Sequence, residues 1–311
     1  MSIAPARPHR GTIFLDDRAE VLDQRQFPGN QHILRMRSPR CASAAVPGSF
    51  VHVRCSESLP MRRPLSIMRV DVERGTLDIL YKVQGQGLAQ LAQCRAGQTL
   101  SVLGPIGNGF ALHARRRHAL LIGGGVGIPP LIFLADRLRA DMDYRSIAFF
   151  GSELAFPFPV RPSKLVVPGM PVGAIATLPM LEDHGIPCRL ASLAGFPGCF
   201  EGYVTDLAGH YLQALDPTAR GNVELFACGP TVMLMAVARL ARRFDLPAQL
   251  CLEEFMACAV GGCAGCAVRV EGPSGIAMKR VCVDGPVFEA SQVFAAGSNG
   301  SVTTAGAVSR S

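Results

Sequence analysis

The chain has 311 residues, 49% of them hydrophobic and 18% charged, and 31 basic residues against 24 acidic ones give a net charge of +7. This length predicts two or three domains. The basic residues are scattered and Trp is absent, which argues against nucleic-acid binding. Apolar runs such as residues 119–122 are too short to cross a bilayer, so no membrane association is expected. Eleven cysteines without an evident pairing pattern, and no N-terminal signal peptide, predict a reducing compartment, namely the cytoplasm.

Residues 1–10 are predicted to form a disordered tail, and residues 11–112 a small antiparallel β-barrel. Six short stretches alternate apolar and polar residues between turn signals, which is typical of half-buried strands, and one helix is expected at residues 88–94. Arg63-Pro64-Leu65-Ser66 begins one of these strands. An arginine there can hold a phosphate through two parallel hydrogen bonds, and Ser66 can donate to a flavin ring nitrogen. The plainer alternative is a surface arginine before a strand-opening proline.

A second loop of the barrel runs from Tyr81-Lys82-Val83 into the predicted helix through Gly85 and Gly87. Glycines before a helix expose backbone N–H groups to a pyrophosphate. A tight turn explains them equally well. A third glycine-rich loop, residues 104–109, closes the barrel.

Residues 113–245 are predicted to form an α/β parallel-sheet nucleotide domain. The apolar strand 119–122 is followed by Gly123, Gly124, Gly125 and Gly127 and then by a helix, which is the order of a nucleotide-binding βα unit. Two further strands end at residues 151–153 and at Cys228-Gly229-Pro230. All three loops therefore fall at the carboxyl ends of strands, where such sheets bind ligands. Cys228 could instead be a small buried residue. Residues 155–200 stand apart as an atypical Pro/Gly-rich insertion, suited to a lid or a partner surface.

Residues 246–290 carry four cysteines, Cys258, Cys263, Cys266 and Cys282, spaced C-x4-C-x2-C-x15-C. This is the plant-type ferredoxin spacing for a [2Fe–2S] cluster. The small residues between them let the backbone approach inorganic sulfide closely. A structural zinc site would usually show two C-x2-C pairs, and only one is present; buried inert cysteines are the third alternative. Residues 291–311 are predicted to be a flexible tail. No residue is assigned a catalytic role, and the absence of a G-x-S-x-G elbow disfavours a hydrolase.

The order of these motifs resembles the ferredoxin-reductase superfamily. The cysteine loop, with Asp-Gly-Pro-Val-Phe at residues 284–288 after Cys282, is similar to that of the electron-transfer subunit of NAD-dependent dihydroorotate dehydrogenase. The resemblance covers roughly residues 15–290. It implies three parts: a flavin barrel, a nucleotide domain and a small C-terminal cluster domain.

The resemblance also implies roles for individual residues. The four cysteines would hold the cluster, Arg63 would face the FAD phosphates, and Ser66 would face the isoalloxazine. The remaining FAD contacts would come from Pro64, Leu65, Tyr81, Lys82, Val83, Gly85 and Gly87. NAD(H), as co-substrate, would lie between residues 123–127 and Cys228-Gly229-Pro230. Leu88 stands where the family commonly has Thr, and Glu153 would repel a 2′-phosphate, which favours NAD over NADP.

The implied function is electron transfer in pyrimidine biosynthesis. An FMN-containing catalytic subunit, in a heterotetramer of two plus two, would pass single electrons through the cluster to FAD, and they would leave to NAD as hydride. A flavin is needed between the cluster and NAD because it exchanges electrons singly or in pairs. One alternative is a reductase serving an oxygenase or a sulfite reductase. The other is a non-catalytic redox-sensing subunit, which Leu88 and the insertion keep open.

Overall fold

The computed structural model describes residues 11–113 and 115–295. The predicted tail at residues 1–10 lies outside these residues, as does most of the tail predicted at residues 291–311. Among the residues that the structure describes, no helix combines the length and the apolar composition that a membrane span requires.

The first part is a closed antiparallel barrel, as predicted. Its strands follow the order β1-β2-β5-β4-β3-β6 around the barrel. Apolar side chains on alternate strand positions fill its interior, for example Val51 and Val53. Its elements are β1 (Phe14–Phe27), β2 (Gln31–Arg37), α1 (Pro39–Ala44), β3 (Phe50–Arg54), β4 (Arg63–Asp71), β5 (Thr76–Lys82), α2 (Gly85–Leu91) and β6 (Thr99–Ile106).

The second part is a twisted sheet covered by helices, and its strands are parallel, as predicted, apart from one added later in the chain. In chain order its elements are β7 (His118–Gly124), a 3-10 turn (Gly125–Gly127), α3 (Ile128–Leu138), β8 (Arg145–Gly151), β9 (Arg161–Pro162), β10 (Ala176–Thr177), α4 (Pro179–Glu182), β11 (Cys188–Ala191), α5 (Val204–Ala214), α6 (Pro217–Gly221), β12 (Val223–Cys228), α7 (Thr231–Phe244) and β13 (Ala248–Cys251).

The third part is a hairpin of β14 (Ala267–Gly272) and β15 (Gly275–Arg280), preceded by the cysteine loop. The chain then returns to the main sheet through β16 (Val287–Glu289), which pairs antiparallel with β13, and ends in α8 (Ala290–Val293). The full sheet order is β11-β8-β7-β12-β13-β16. The cluster segment is therefore attached to the nucleotide sheet at both of its ends.

The segment 155–200 contains regular structure as well as loops. Strand β11 is the edge strand of the main sheet, parallel to β8. The carboxylate of buried Glu182 accepts hydrogen bonds from the backbone N–H groups of Lys164 and Leu165, at 2.7 and 2.9 Å, and from the Ser163 hydroxyl at 2.6 Å. These bonds fix residues 163–165 to helix α4.

Candidate functional site

Arg63 and Gly87, which the sequence places in two separate flavin motifs, are in contact. A Cβ atom at Gly87 would lie 3.2 Å from Arg63 Nε and 3.3 Å from Arg63 Nη2. The guanidinium is held in place by two backbone carbonyls, those of Met61 and Arg62, each 3.2 Å from Nη1. Gly85 has a positive φ of 71°, which favours glycine, and its Cβ position faces open space. Gly85 is exposed and Gly87 is buried next to the guanidinium, so an accessible stretch of backbone lies beside a cation, which suits a pyrophosphate.

Pro64 and Ser66 share one face of the barrel wall. In the antiparallel pairing of β3 with β4, Pro64 lies opposite His52, and Ser66 lies opposite Phe50. Leu65 points the other way, into the barrel interior. The Ser66 hydroxyl has no hydrogen-bond partner within residues 11–113 and 115–295, so it is free to bond a ligand on this face.

Tyr81 is buried inside the barrel. Its ring stacks on His32 with centroids 5.4 Å apart, and its hydroxyl donates to Gln24 Oε1 at 2.9 Å. Burial raises the pKa of Tyr81. The Tyr81 side chain therefore supports the barrel wall, and this residue would border a flavin through its backbone. Lys82 ends β5, and the Val83 N–H donates to the Asn30 carbonyl at 2.9 Å.

The two predicted nucleotide loops meet through their backbones. Strands β7 and β12 are neighbours, with Gly123 opposite Cys228. A Cβ atom at Gly127 would stand 2.5 Å from the carbonyl carbon and oxygen of Cys228, so only glycine fits there. A Cβ atom at Gly124 would stand 2.6 Å from the sulfur of Met233. The structure thus brings residues 123–127 together with Cys228-Gly229-Pro230, as the sequence predicts.

Cys228 is fully buried at the end of β12. The thiol of Cys251, its register partner on β13, and burial raise the pKa of Cys228. Cys228 is therefore a neutral thiol under the nucleotide loops.

A recess of about 140 Å³ opens beside these loops. Its walls come from the start of α7 and from the segment that leads into the cysteine loop: Gly229, Pro230, Thr231, Leu234, Leu252, Glu253 and Glu254. Burial raises the pKa of Glu254. The recess is smaller than the roughly 300 Å³ of a typical ligand pocket, so it suits one part of a dinucleotide.

Glu153 is exposed in the loop after β8 and makes no ion pair or hydrogen bond with the described residues. The following residue, Leu154, packs on the β1–β2 turn, 2.7 Å from the Cβ position of Gly29. Gln31 Nε2 donates to the Ala155 carbonyl at 2.8 Å. The loop that carries Glu153 is therefore anchored to the barrel.

The four predicted cluster cysteines lie in two pairs. The backbone N–H of Cys263 donates to Cys258 Sγ at 3.4 Å, and the sulfurs of Cys266 and Cys282 are 3.3 Å apart. A [2Fe–2S] cluster held by four thiolates needs two for each iron, and two pairs fit that need. Within the described part of the chain, no three side chains of His, Cys, Asp or Glu converge as ligands of one metal ion. The fit to a cluster therefore rests on the two cysteine pairs.

The two cysteine pairs differ in the pKa of their thiols. Burial alone would raise the pKa of Cys258, but hydrogen bonds from the backbone of Val260, Cys263 and Gly262 lower it to about 6. Burial and the neighbouring Cys266 thiol raise the pKa of Cys282 to about 12. Cys258 is therefore a thiolate at pH 7, ready to bind iron, whereas Cys282 must lose a proton when a cluster binds.

Three residues of the cysteine loop have positive φ: Ala259 (56°), Gly261 (86°) and Ala264 (53°). This conformation turns successive N–H groups toward the thiols. Arg280 Nη1 donates to the Gly261 carbonyl at 2.9 Å, and the Arg280 N–H donates to Asp284 Oδ2 at 2.8 Å. Sequence reasoning did not identify Arg280 as a support of the loop, although its position two residues before Cys282 was a signal.

Asn108, in the third glycine-rich loop, joins the barrel to the cluster segment. Its side-chain amide donates to the carbonyls of Val283 and Asp284 at 3.2 Å each, and its backbone N–H donates to the Gly285 carbonyl at 2.6 Å. One apolar core contains Phe50 of β3 together with Cys266 and Cys282. The wall that carries the flavin motif therefore belongs to the same apolar core as two of the predicted cluster cysteines.

The chain combines a closed barrel, a parallel sheet with glycine-rich loops and a four-cysteine segment. This combination defines a flavin- and pyridine-nucleotide-linked reductase of the ferredoxin-reductase superfamily. Residues 253–294 match the family model described as the iron-sulfur cluster binding domain of dihydroorotate dehydrogenase B. The electron transfer subunit of dihydroorotate dehydrogenase B (NAD(+)) from Bacillus caldolyticus is 36% identical over 283 residues, which cover 89% of this chain and 98% of that protein. The subunit from Desulforamulus reducens is 31% identical over 277 residues, which cover 88% and 97%. The chain belongs to this family of electron transfer subunits.

Solved structures agree with this assignment. A NADH-dependent reduced ferredoxin-NADP oxidoreductase, studied for flavin-based electron bifurcation, superimposes with a TM-score of 0.71 at 26% identity and covers 89% of this chain and 90% of that one. Phthalate dioxygenase reductase gives a TM-score of 0.52 at 16% identity, covering 85% and 76%, and shares the fold. The predicted family and fold class are confirmed, and with them FAD, a [2Fe–2S] cluster and NAD(H) as the groups of this reductase. The roles of individual residues stay predictions.

Proposed function

We propose that this chain carries electrons between an FMN-containing subunit that oxidises dihydroorotate and NAD, in a heterotetramer of two plus two chains that serves pyrimidine biosynthesis. Bound FAD would supply the exchange between single electrons and hydride. The proposal is supported by family membership over nearly the whole chain. None of the eleven cysteines, all of which lie among the described residues, forms a disulfide, which supports a place in the reducing cytoplasm.

In this proposal Arg63 binds the FAD pyrophosphate on the Gly85–Gly87 backbone, and Ser66 orients the isoalloxazine. Arg63 suits the task because its guanidinium is already fixed by two carbonyls and loses little freedom on binding. Leu88 replaces a hydroxyl that the family commonly offers, so the pyrophosphate depends more on Arg63 and on the backbone.

The nucleotide would lie on residues 123–127 and Cys228-Gly229-Pro230, with its nicotinamide end toward the recess at Glu254. Glu153 would stand near the adenosine half and disfavour a 2′-phosphate through charge repulsion. Its carboxylate is unpaired among the described residues, so nothing there offsets its charge. This supports NAD over NADP as the co-substrate.

Exposed apolar side chains surround the cysteine loop and offer a docking surface for the partner. Phe255 is 93% exposed and Val260 47%, and in β15 Ile276 is 60% and Met278 56% exposed. Such a concentration of exposed apolar residues is typical of a protein interface. Cys263 is also exposed here, which supports electron entry on this side.

The observation that carries the proposal is the arrangement of the four thiols in two pairs, on a segment that shares one apolar core with Phe50, the register partner of Ser66 in the barrel wall. It supports a short route between a cluster and a flavin within one chain. A non-catalytic redox-sensing subunit would have no need of such a route.

The test is to purify the chain anaerobically, alone and together with a candidate FMN subunit. The chain alone should contain about one FAD and two irons, and NADH should bleach its flavin. The complex should reduce NAD with dihydroorotate, and neither subunit alone should do so.

Other outcomes would decide against the proposal. A colourless preparation containing zinc would exclude the cluster. FAD and iron with no response to NADH would favour the redox-sensing subunit. Flavin bleaching by NADH without dihydroorotate activity in the complex would favour a reductase for another partner, such as an oxygenase or a sulfite reductase.

A further inference from the structure

A second recess, larger than the one beside the nucleotide loops, opens on the outer face of the barrel. Its volume is about 630 Å³, which falls within the roughly 300–1,000 Å³ of small-molecule sites. None of the residues assigned above to FAD, to the nucleotide or to the cluster lines this recess. Its lining therefore points to a ligand of its own.

The floor of the recess is the outer face of three neighbouring strands, β2, β5 and β4. In one row across these strands, Arg35 lies opposite Asp78, and Asp78 lies opposite Arg69. The next residue back along β5, Leu77, belongs to the barrel core. Side chains alternate along a strand, so the charged row faces away from the barrel interior and into the recess.

The wall of the recess is the C-terminal end of α3, which contributes Asp136 and Arg139, and the turn after α4, which contributes His184. Asp136 and Arg139 are three positions apart, so they share one face of the helix. Arg69 Nε donates to Asp136 Oδ2 at 2.8 Å. This bond joins the floor to the wall and brings the Arg69 side chain next to the helix face that carries Arg139.

The positive charges of the recess are not all offset. Five arginines among the described residues line it, and four of them have a carboxylate partner: Arg35, Arg37, Arg69 and Arg74 pair with Asp78, Glu20, Asp136 and Asp71 respectively. Arg139 is exposed, and its guanidinium makes no ion pair or hydrogen bond with the described residues. One guanidinium is therefore left to attract an anion.

Arg69 also keeps donors for a ligand. Only its Nε bonds Asp136, and its two terminal nitrogens have no partner in the part of the chain that the structure describes. A guanidinium fixed in this way presents a planar pair of N–H donors that matches two oxygens of a phosphate. Arg139 adds a second guanidinium from the helix, which suits a second phosphate.

The recess has a small apolar part as well. Leu22 and Val70 line it, and both side chains are half-buried. Such a surface suits the base or the sugar of a nucleotide, and the volume leaves room for one. The charged majority of the lining does not suit an apolar ligand, because the guanidinium and carboxylate groups would lose their hydration without new partners.

We propose that this recess binds a small molecule with a diphosphate group, through Arg69 and Arg139. The site is separate from the proposed nucleotide site. Helix α3 begins at the glycine loop of that site, and Arg139 lies at its other end, 11 residues or about 16 Å away. The bound diphosphate bridges strand β4 of the barrel and helix α3 of the nucleotide domain.

The experiment is isothermal titration calorimetry of the chain loaded with FAD and cluster, at low salt, with ADP and with inorganic pyrophosphate as probes. Arg139→Gln removes the unpaired charge. Arg69→Lys keeps the charge but loses the paired donors. Arg137→Gln is the matched control, because Arg137 is exposed on the same helix, carries the same charge and does not line the recess.

We expect saturable binding that Arg139→Gln and Arg69→Lys each weaken by about tenfold or more, which is the effect of losing a charge-assisted hydrogen bond. Arg137→Gln should bind like the wild type. Equal affinities for ADP and pyrophosphate would support the site and identify the diphosphate alone as its ligand, whereas tighter binding of ADP would support it and add the nucleoside.

Three outcomes would overturn the proposal. The first is that neither probe binds. The second is binding of both probes that Arg139→Gln and Arg69→Lys leave unchanged, because such binding belongs to the dinucleotide sites. The third is equal weakening in Arg139→Gln and Arg137→Gln, because it would show only a general attraction between a basic helix and an anion.

Discussion

Gly127 is the point where the two nucleotide loops touch, so Gly127→Ala should push them apart. The new Cβ atom would lie 2.5 Å from the carbonyl carbon and oxygen of Cys228. Non-bonded carbon atoms prefer a separation of about 3.5–4.0 Å. The neighbouring atoms belong to the backbone at the end of a buried strand, so no side chain can rotate to make room. One loop must therefore move by about 1 Å.

The size of the effect follows from that displacement. Overpacking of this kind costs about 1–3 kcal/mol of stability. A displacement of about 1 Å in a group that positions a substrate costs about a hundredfold in rate. We expect the reduction of the flavin by NADH to slow by a factor of about 10–100. FAD and iron contents should stay normal, because their proposed ligands lie on other segments.

Anaerobic stopped-flow mixing with NADH measures this rate directly, and a series of NADH concentrations separates binding from hydride transfer. Gly221→Ala is the matched control in the same domain, because no atom lies within 4 Å of its Cβ position. It should keep the wild-type rate. A wild-type rate in Gly127→Ala would refute the idea that these two loops jointly bind the nucleotide.

Three further predictions concern the proposed FAD site and the cluster. Arg63→Lys should weaken FAD binding about 10–100-fold in equilibrium dialysis, because Lys cannot make paired hydrogen bonds; unchanged affinity would contradict the proposed role of Arg63. Asn108→Ala should lower the free energy of unfolding by about 1–3 kcal/mol and speed the loss of iron to a chelator. Asn222→Ala, at an exposed position, should change neither quantity. In the iron-free chain, alkylation of Cys258 should rise with a midpoint near pH 6, while Cys282, with a pKa of about 12, stays unreactive. Because folding lowers the pKa of Cys258, its thiolate stabilises the iron-free fold at alkaline pH, and that contribution is lost as the pH falls toward 6.

The motifs that the sequence revealed are those whose chemistry is local. The spacing of Cys258, Cys263 and Cys266 fixes a loop by itself, and a glycine run after an apolar strand predicts a nucleotide turn wherever it occurs. The contact between Arg63 and Gly87 follows from neighbouring strands of one barrel. In each case short stretches of sequence contain the whole signal.

The burial of His52 shows why some features of the structure could not be predicted from the sequence. In the sequence it is one polar residue in an alternating strand, and such residues usually face solvent. Its burial depends on Met256, about two hundred positions later, and only the packing of the cysteine segment reveals it. Strand β11 was hidden for a different reason. Its four residues are all buried, so the sequence shows no alternation of apolar and polar residues. Arg189 is one of them, and its guanidinium donates to the carbonyls of Leu165 and Cys188.

The tail after Cys282 shows how a local motif acquires its meaning from the fold. Residues 284–288 turn back from the cluster loop and enter the main sheet as β16. Asn108 binds the carbonyls at the start of this tail, and the Gly107 position admits no side chain beside Pro286. Both ends of the cysteine segment are thus fixed to the body that carries the proposed flavin and nucleotide sites. With the sites as proposed, the fold sets the distance from cluster to flavin, and only the distance from cluster to partner is left to docking. The sequence of this tail reflects a constraint within the chain, so substitutions in it should alter cluster retention before they alter the choice of partner.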